Sequence, residues 1–129
     1  MKQVLIIEDQ PTDLRIAAKA AESSGFSVVE ARSSVGAAKL YLEKCLEGTA
    51  PLPDAIVLDV DLGYESGFEL LRFWYGDPRL AKIPLVVWTI LGGQYQEMCQ
   101  MFKVKAYIPK DDDASALRTV LIDLAKTDS

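Results

Sequence analysis

The chain contains no histidine among its 129 residues. This absence excludes Ser-His-Asp and Cys-His nucleophile systems, zinc sites with histidine ligands, and any role as a phosphohistidine carrier. Cysteine is scarce as well. Cys45 and Cys99 both lie in helix-like patterns with no partner at motif spacing, so we interpret them as reduced packing residues.

Long apolar runs and an excess of positive charge are also missing. No run approaches the roughly 20 residues that span a bilayer, and residues 1–3 lead into a strand without a signal-peptide pattern. We therefore expect a cytoplasmic location and no membrane partner. The net charge of −5 argues against direct nucleic-acid binding. The length predicts one domain over residues 1–129, with no output domain in this chain.

Short apolar strands alternate with helical patterns five times along the chain. The runs at 4–7 and 55–58 contain only Val, Ile, Leu and Ala, which is typical of strands buried on both faces of a parallel sheet. The five predicted strands are residues 4–7, 26–31, 55–58, 85–88 and 105–108. This alternation predicts a doubly wound α/β domain.

Five helices are predicted between and after these strands. Their expected starts are the residue after Asp9, Ser33 or Ser34, Gly67, Gly92 or Gly93, and Asp113. The first should carry Ala17, Ala18 and Ala21 on its apolar face and end at Gly25. The fourth should present Tyr95, Met98, Cys99 and Phe102 on one face.

Acidic residues follow the first and third strands, at the point where each strand ends. These residues are Glu8, Asp9, Asp59 and Asp61. In an open α/β sheet the carboxyl ends of the strands meet at one edge, where ligands bind. If the first and third strands are neighbours, Asp9 and Asp59 lie on chains about 5 Å apart and can share one ion. A hard cation such as Mg²⁺ favours such a site, and Asp59 becomes a candidate nucleophile toward phosphorus.

Thr89 and Lys110 follow the fourth and fifth strands and should project to the same edge. A phosphoryl group on Asp59 would carry oxygens that need donors. A hydroxyl and an ammonium group provide them.

With these residues in place, the whole chain resembles the receiver domains of two-component response regulators. The matching positions are Glu8, Asp9, Asp59, Gly67, Thr89, Tyr107 and Lys110. The resemblance implies a flavodoxin-like three-layer αβα fold, with a five-stranded parallel sheet in the order 2-1-3-4-5.

The resemblance also implies the chemistry of each position. Asp59 would accept a phosphoryl group, Mg²⁺ would bind Asp9, Asp59 and the carbonyl of Asp61, and Glu8 would act through water. Thr89 and Lys110 would hold the phosphoryl oxygens, and Thr89 would move toward them while Tyr107 turns inward. The chain would thus be a signalling switch that catalyses only its own phosphorylation and dephosphorylation.

The implied partners are a sensor histidine kinase or a histidine phosphotransfer protein, which would donate the phosphoryl group, and an unknown downstream protein. A homodimer is compatible with the resemblance. The consecutive aromatic residues Phe73, Trp74 and Tyr75 cannot all face one core, because neighbouring helix side chains point about 100° apart. We expect at least one to be partly exposed, with Trp74 or Tyr75 as the candidate partner contact.

Four departures from the family pattern bear on the switch. Ile90 follows Thr89 where a small residue is usual, and its side chain could narrow access to the phosphoryl group. Asp111 and Gly63 stand where prolines are common, and Asp61 adds negative charge at a variable position.

Two other interpretations remain open from the sequence alone. The stretch from Asp59 to Asp61 has the Asp-x-Asp form of haloacid-dehalogenase phosphatases, although those enzymes place it after the first strand. A pseudo-receiver would keep the fold as a binding module without being phosphorylated.

Overall fold

The computed structural model describes residues 1–32, 35–62, 65–111 and 113–126. These residues form seven strands, numbered in chain order: β1 Lys2–Glu8, β2 Phe26–Arg32, β3 Ala55–Leu58, β4 Asp61–Leu62, β5 Glu65–Ser66, β6 Leu85–Thr89 and β7 Ala106–Pro109. Five of them form a parallel sheet in the order β2-β1-β3-β6-β7, and β4 and β5 form a small antiparallel ribbon. The doubly wound prediction, with its order 2-1-3-4-5 for the five long strands, is confirmed.

Within the described residues, six α-helices connect or follow the strands. They are α1 Pro11–Ser23, α2 Val35–Leu46, α3 Gly67–Gly76, α4 Pro78–Ala81, α5 Gln96–Met101 and α6 Ser115–Lys126, with a 3₁₀ turn at Gly93–Tyr95 before α5.

The two faces of the sheet pack into separate apolar cores. Successive side chains of a strand point to opposite faces, so Leu5 and Ile7 join α2 and α3 on one side. Val4 and Ile6 join α1 and α6 on the other. All four side chains have no exposed surface. The continuous apolar runs therefore reflect strands covered on both faces, as the sequence predicted.

The first helix begins and ends where the sequence places its signals. Pro11 occupies the first turn, where its missing N–H costs no helical hydrogen bond. Gly25 follows the helix at φ +100°, a conformation that favours glycine. The predicted apolar face needs one correction, because Ala20 is fully buried while Ala18 is only half-buried.

The short helix α4 was not predicted. Pro78 lies in its first turn, and the Asp77 carboxylate accepts a hydrogen bond from the Arg79 N–H at 2.8 Å. The Asp77-Pro78 pair, which follows α3, therefore starts a new helix.

The segment after β6 also differs from its prediction. The chain from Gly93 first forms a 3₁₀ turn, and α5 has only six residues. Cys99 is buried as expected, but Met98 is 46% exposed and does not belong to the buried face. The buried face of α5 is therefore formed by Cys99, and Phe102 packs against the same core just after the helix.

The remaining helix starts fall close to their predicted positions. The α3 N-cap is Ser66, whose hydroxyl oxygen accepts from the Phe68 N–H at 3.2 Å. The helix α6 begins at Ser115, whose N–H donates to the Asp113 carboxylate at 3.1 Å. Ser33 and Ser34, the expected caps of α2, lie outside the described residues.

The three consecutive aromatic residues of α3 divide as the helix geometry requires. Trp74 is buried, and its indole N–H donates to the carbonyl of Ile83 at 3.0 Å. Tyr75 is 42% exposed and packs edge-on against Phe102. The expectation of a partly exposed aromatic residue is confirmed, and of the two candidates Tyr75 is the accessible one and Trp74 is buried.

Cys45 and Cys99 are both free and buried, which confirms that they pack in the interior. Across the described segments, no helix combines the length and apolar character that crossing a membrane requires.

Candidate phosphoacceptor site

The pairing of β1 with β3 brings the acidic strand ends together. Ile7 lies opposite Leu58 in this parallel pair, and the Asp59 N–H donates to the carbonyl of Ile7 at 3.1 Å. Because β2 lies on the other side of β1, the strand order reverses at this point. The acids therefore lie at the switch point of the sheet, where α/β proteins bind ligands.

Three carboxylates form a compact cluster at this edge. Oxygen atoms of Glu8, Asp9 and Asp59 all lie within 4.8 Å of one another. Glu8 and Asp59 are buried, and Asp9 is half-buried. The Oδ1 atom of Asp9 is shielded from solvent, and no hydrogen-bond donor reaches it from the described residues. A buried carboxylate oxygen without a donor fits a cation ligand, and an all-oxygen set suits a hard divalent ion.

Lys110 supplies the positive charge that the cluster needs. Its ammonium group donates to Oδ2 of Asp59 and to Oδ2 of Asp13, both at 2.8 Å. It also forms an ion pair with Oε2 of Glu8 at 2.8 Å. Burial alone would lower the pKa of Lys110, but the three carboxylates outweigh it and raise this pKa above its usual range. Lys110 is therefore permanently charged at the site.

Glu8 responds to the same pocket in the opposite way. Burial disfavours its charged form and raises its pKa to about 7, against the lowering effect of Lys110 and of the Gln10 N–H. Without a cation, a substantial fraction of Glu8 is therefore protonated near neutral pH.

Thr89 contacts the Asp59 carboxylate directly. Its buried hydroxyl group donates to Oδ1 of Asp59 at 2.7 Å, and the Asp61 N–H donates to the same oxygen at 2.9 Å. The Asp61 side chain is exposed. The two oxygens of Asp59 are thus oriented by different donors, Oδ1 by Thr89 and Asp61 and Oδ2 by Lys110.

Tyr107 lies beside this constellation and does not contact the acids. Its hydroxyl group lies 3.0 Å from the carbonyl oxygens of both Leu91 and Gly92, in the loop after β6. The side chain is half-buried and packs against the core formed with α2 and α3. Tyr107 thereby connects β7 to the loop that follows Thr89.

Gly67 fixes the backbone behind Asp59. A Cβ atom at this position would lie 2.6 Å from the Cα of Val60 and 2.9 Å from the carbonyl oxygen of Asp59. The Gly67 N–H also donates to the Val60 carbonyl at 3.1 Å. Only glycine allows α3 to start this close to the loop after β3.

Two contributors to the site were not predicted from the sequence. Asp13 reaches Lys110 from the first turn of α1, and the Lys110 ammonium lies 5.1 Å from the centroid of the Trp88 ring. A position in the first turn after β1 was a usable signal for Asp13, because that turn opens onto the same sheet edge as Asp9.

Two of the departures from the family pattern, Ile90 and Asp111, lie at the rim of the site. Ile90 is 71% exposed and lines an open cleft of about 260 Å³ together with Asp13, Ile16, Lys110 and Asp111. The Asp111 carboxylate points to α6, where it accepts from the Ser115 hydroxyl at 3.1 Å. Gly63 lies outside the described residues.

The family model of the response regulator receiver domain matches residues 4–122 of the chain. The chain is 28% identical over 110 residues to the polar-differentiation response regulator DivK of Brucella ovis, with 84% of each protein covered. It is similar to the phosphorylated cyanobacterial phytochrome response regulator RcpA, with 26% identity, a TM-score of 0.74, and coverage of 95% of this chain and 90% of that one.

A third similarity is to the receiver domain of a signal transduction histidine kinase from Syntrophus aciditrophicus. The identity is 25% and the TM-score 0.78, over 100% of this chain and 96% of that one. Fold and site define a phosphoacceptor switch of two-component signalling, a class that is not a classical enzyme. The chain belongs to the response regulator receiver domain family. This assignment displaces the dehalogenase-type interpretation.

Proposed function

We propose that Asp59 is the phosphoacceptor of this receiver domain, and that a partner's phosphohistidine is the donor. The observation that carries the proposal is the orientation of both Asp59 oxygens, by the Thr89 hydroxyl at Oδ1 and by the Lys110 ammonium at Oδ2. A carboxylate held in this way has one defined direction of attack. RcpA, which shares 26% identity, is described in a phosphorylated form.

In the transfer, a carboxylate oxygen of Asp59 forms a bond to phosphorus while the P–N bond of the phosphohistidine breaks. The electron pair of that bond leaves with the imidazole, and Asp59 becomes an acyl phosphate. Thr89 and Lys110 then donate to phosphoryl oxygens, which places a hydroxyl and a positive charge where negative charge accumulates. The donor would be a sensor histidine kinase or a histidine phosphotransfer protein.

A divalent cation, Mg²⁺ in the cell, fits the remaining groups. Asp9, with its unpartnered Oδ1 atom, and Asp59 would hold it together with the carbonyl of Asp61, and Glu8 would act through water. When bound, the cation offsets the repulsion between these carboxylates and the incoming phosphoryl group.

The readout of the switch would pass through Thr89 and Tyr107. The Thr89 hydroxyl would donate a new hydrogen bond to the phosphoryl group. In the resting structure this hydroxyl also accepts from the Leu91 N–H at 3.3 Å. The loop that contains Leu91 accepts the hydrogen bond of Tyr107. A shift of Thr89 toward the phosphoryl group would release this loop, Tyr107 would turn inward, and the altered surface would change binding to a downstream protein.

Phosphorylation can be measured by intact mass after incubation with acetyl phosphate or phosphoramidate in the presence of Mg²⁺. We expect one added phosphoryl group, none with Asp59→Asn, and none when EDTA removes the metal. Asp111→Asn is a matched control, because it removes a nearby exposed carboxylate that is bonded to Ser115. Labelling that survives Asp59→Asn would defeat the assignment, and unlabelled protein that also fails to bind Mg²⁺ would favour the pseudo-receiver.

A further inference from the structure

Lys110 makes one contact that the phosphoacceptor chemistry does not require. Its ammonium lies 2.8 Å from three carboxylates, and two of them, Glu8 and Asp59, belong to the acidic cluster. The third, Asp13, lies on α1 outside that cluster. An ammonium group has only three N–H donors, so the contact with Asp13 occupies a donor that the phosphoryl group on Asp59 would need.

We propose that Asp13 is a positioning residue that competes with the phosphoryl group for Lys110 and so weakens the phosphorylated state. This inference rests on the proposed function of Asp59. The Asp13 carboxylate holds the ammonium toward α1, and its negative charge lies beside the path of an anionic phosphoryl group. Both effects oppose phosphoryl binding and act through Lys110.

Lys110 does not depend on Asp13 for its location. Its backbone N–H donates to the carbonyl of Thr89 at 3.0 Å, and its ammonium lies over the Trp88 ring. The side chain is only 8% exposed and keeps its contacts with Glu8 and Asp59. Removing the Asp13 carboxylate therefore leaves Lys110 in the site with one donor released.

The partial exposure of Asp13 determines the size of the effect. Its side chain is 30% exposed, so solvent screens the contact, unlike the contacts of Glu8 and Asp59. Loss of a charged contact that solvent screens to this extent should change the affinity for a phosphoryl group or its mimic about fivefold.

The test measures binding of beryllium trifluoride, a mimic of the phosphoryl group on a carboxylate, by calorimetry in the presence of Mg²⁺. We expect Asp13→Asn to tighten this binding about fivefold. Asp111→Asn removes the same charge from the same cleft without touching the ammonium, because that carboxylate is bonded to Ser115. It should change the affinity by less than about twofold, since charge separation and salt screening weaken its effect.

Equal effects of the two substitutions would show that only the overall negative charge of the cleft matters, and would overturn the competition. Weaker binding by Asp13→Asn would also overturn it, because Asp13 would then hold Lys110 in place for the phosphoryl group. A second measurement, the rate of phosphorylation by acetyl phosphate, should rise in Asp13→Asn and stay unchanged in Asp111→Asn. Wild-type protein that neither binds the mimic nor accepts a phosphoryl group would overturn the proposed function itself. Wild-type protein that does both, with no difference between the two variants, would overturn only the role of Asp13.

Discussion

The Thr89 hydroxyl donates to Oδ1 of Asp59 at 2.7 Å, so the end of β6 is bonded to the end of β3 at the center of the site. Both residues are buried. A hydrogen bond from a buried hydroxyl group to a carboxylate is among the stronger ones in proteins, because little water competes for either partner.

Thr89→Val should therefore slow phosphorylation of Asp59, because it keeps the shape of the side chain and removes the donor. The lost hydrogen bond is the one that this hydroxyl would donate to a phosphoryl oxygen during the transfer, and its value of about 1.5 kcal/mol corresponds to roughly a tenfold lower rate. Thr89→Ser retains the hydroxyl group and is the matched control. The rate of labelling by acetyl phosphate, followed by intact mass, checks both variants, and a Val variant as fast as wild type would show that this bond is not used.

Gly67→Ala should destabilise the fold and displace the loop that carries Asp59. The added Cβ would meet backbone atoms of Val60 and Asp59, which cannot rotate away as a side chain can. A clash of this kind costs about 1–3 kcal/mol in free energy of unfolding. Gly76→Ala is the control at the other end of α3, since its Cβ would meet nothing within 4 Å. Urea unfolding measures both variants, and equal stability of the two would contradict the close approach.

The buried carboxyl group of Glu8 should make stability depend on pH when metal is absent. Its pKa is raised to about 7 in the folded chain, from 4.5 when unperturbed. Its contribution is therefore fully present below about pH 4.5 and is lost as the pH rises through 7. The shift corresponds to a loss of up to about 3 kcal/mol in free energy of unfolding.

Glu8→Gln removes this titration and is the variant to compare. In EDTA, the wild type should lose stability relative to Glu8→Gln as the pH rises from 5 to 8. Urea unfolding at each pH measures the free energy of unfolding of both proteins. A constant difference over that range would mean that Glu8 titrates at its ordinary pKa. Added Mg²⁺ should reduce the loss at pH 8, because the cation favours the charged carboxylate.

Much of this site could be predicted from sequence because parallel strands bring their carboxyl ends together. Once residues 4–7 and 55–58 are recognised as buried strands, the acids that follow them must meet. The contact between Asp13 and Lys110 joins residues 97 positions apart, so it forms only when the fold brings the first turn of α1 to the residue that follows β7. Likewise, apolar spacing placed Met98 on the buried face of this helix, whereas the structure buries Cys99 and leaves Met98 exposed.

Ile90→Ala should speed the loss of the phosphoryl group from Asp59. Ile90 lines the cleft that contains Lys110 and is 71% exposed, so its truncation removes little packing and widens the path by which water reaches the phosphoryl group. Ile122→Ala is the control, because it makes the same truncation at an exposed position on α6 that lines a different cleft. The half-life of the phosphorylated protein, followed by intact mass after removal of the donor, should shorten for Ile90→Ala and stay unchanged for Ile122→Ala. An unchanged or longer half-life for Ile90→Ala would show that this side chain does not limit access of water.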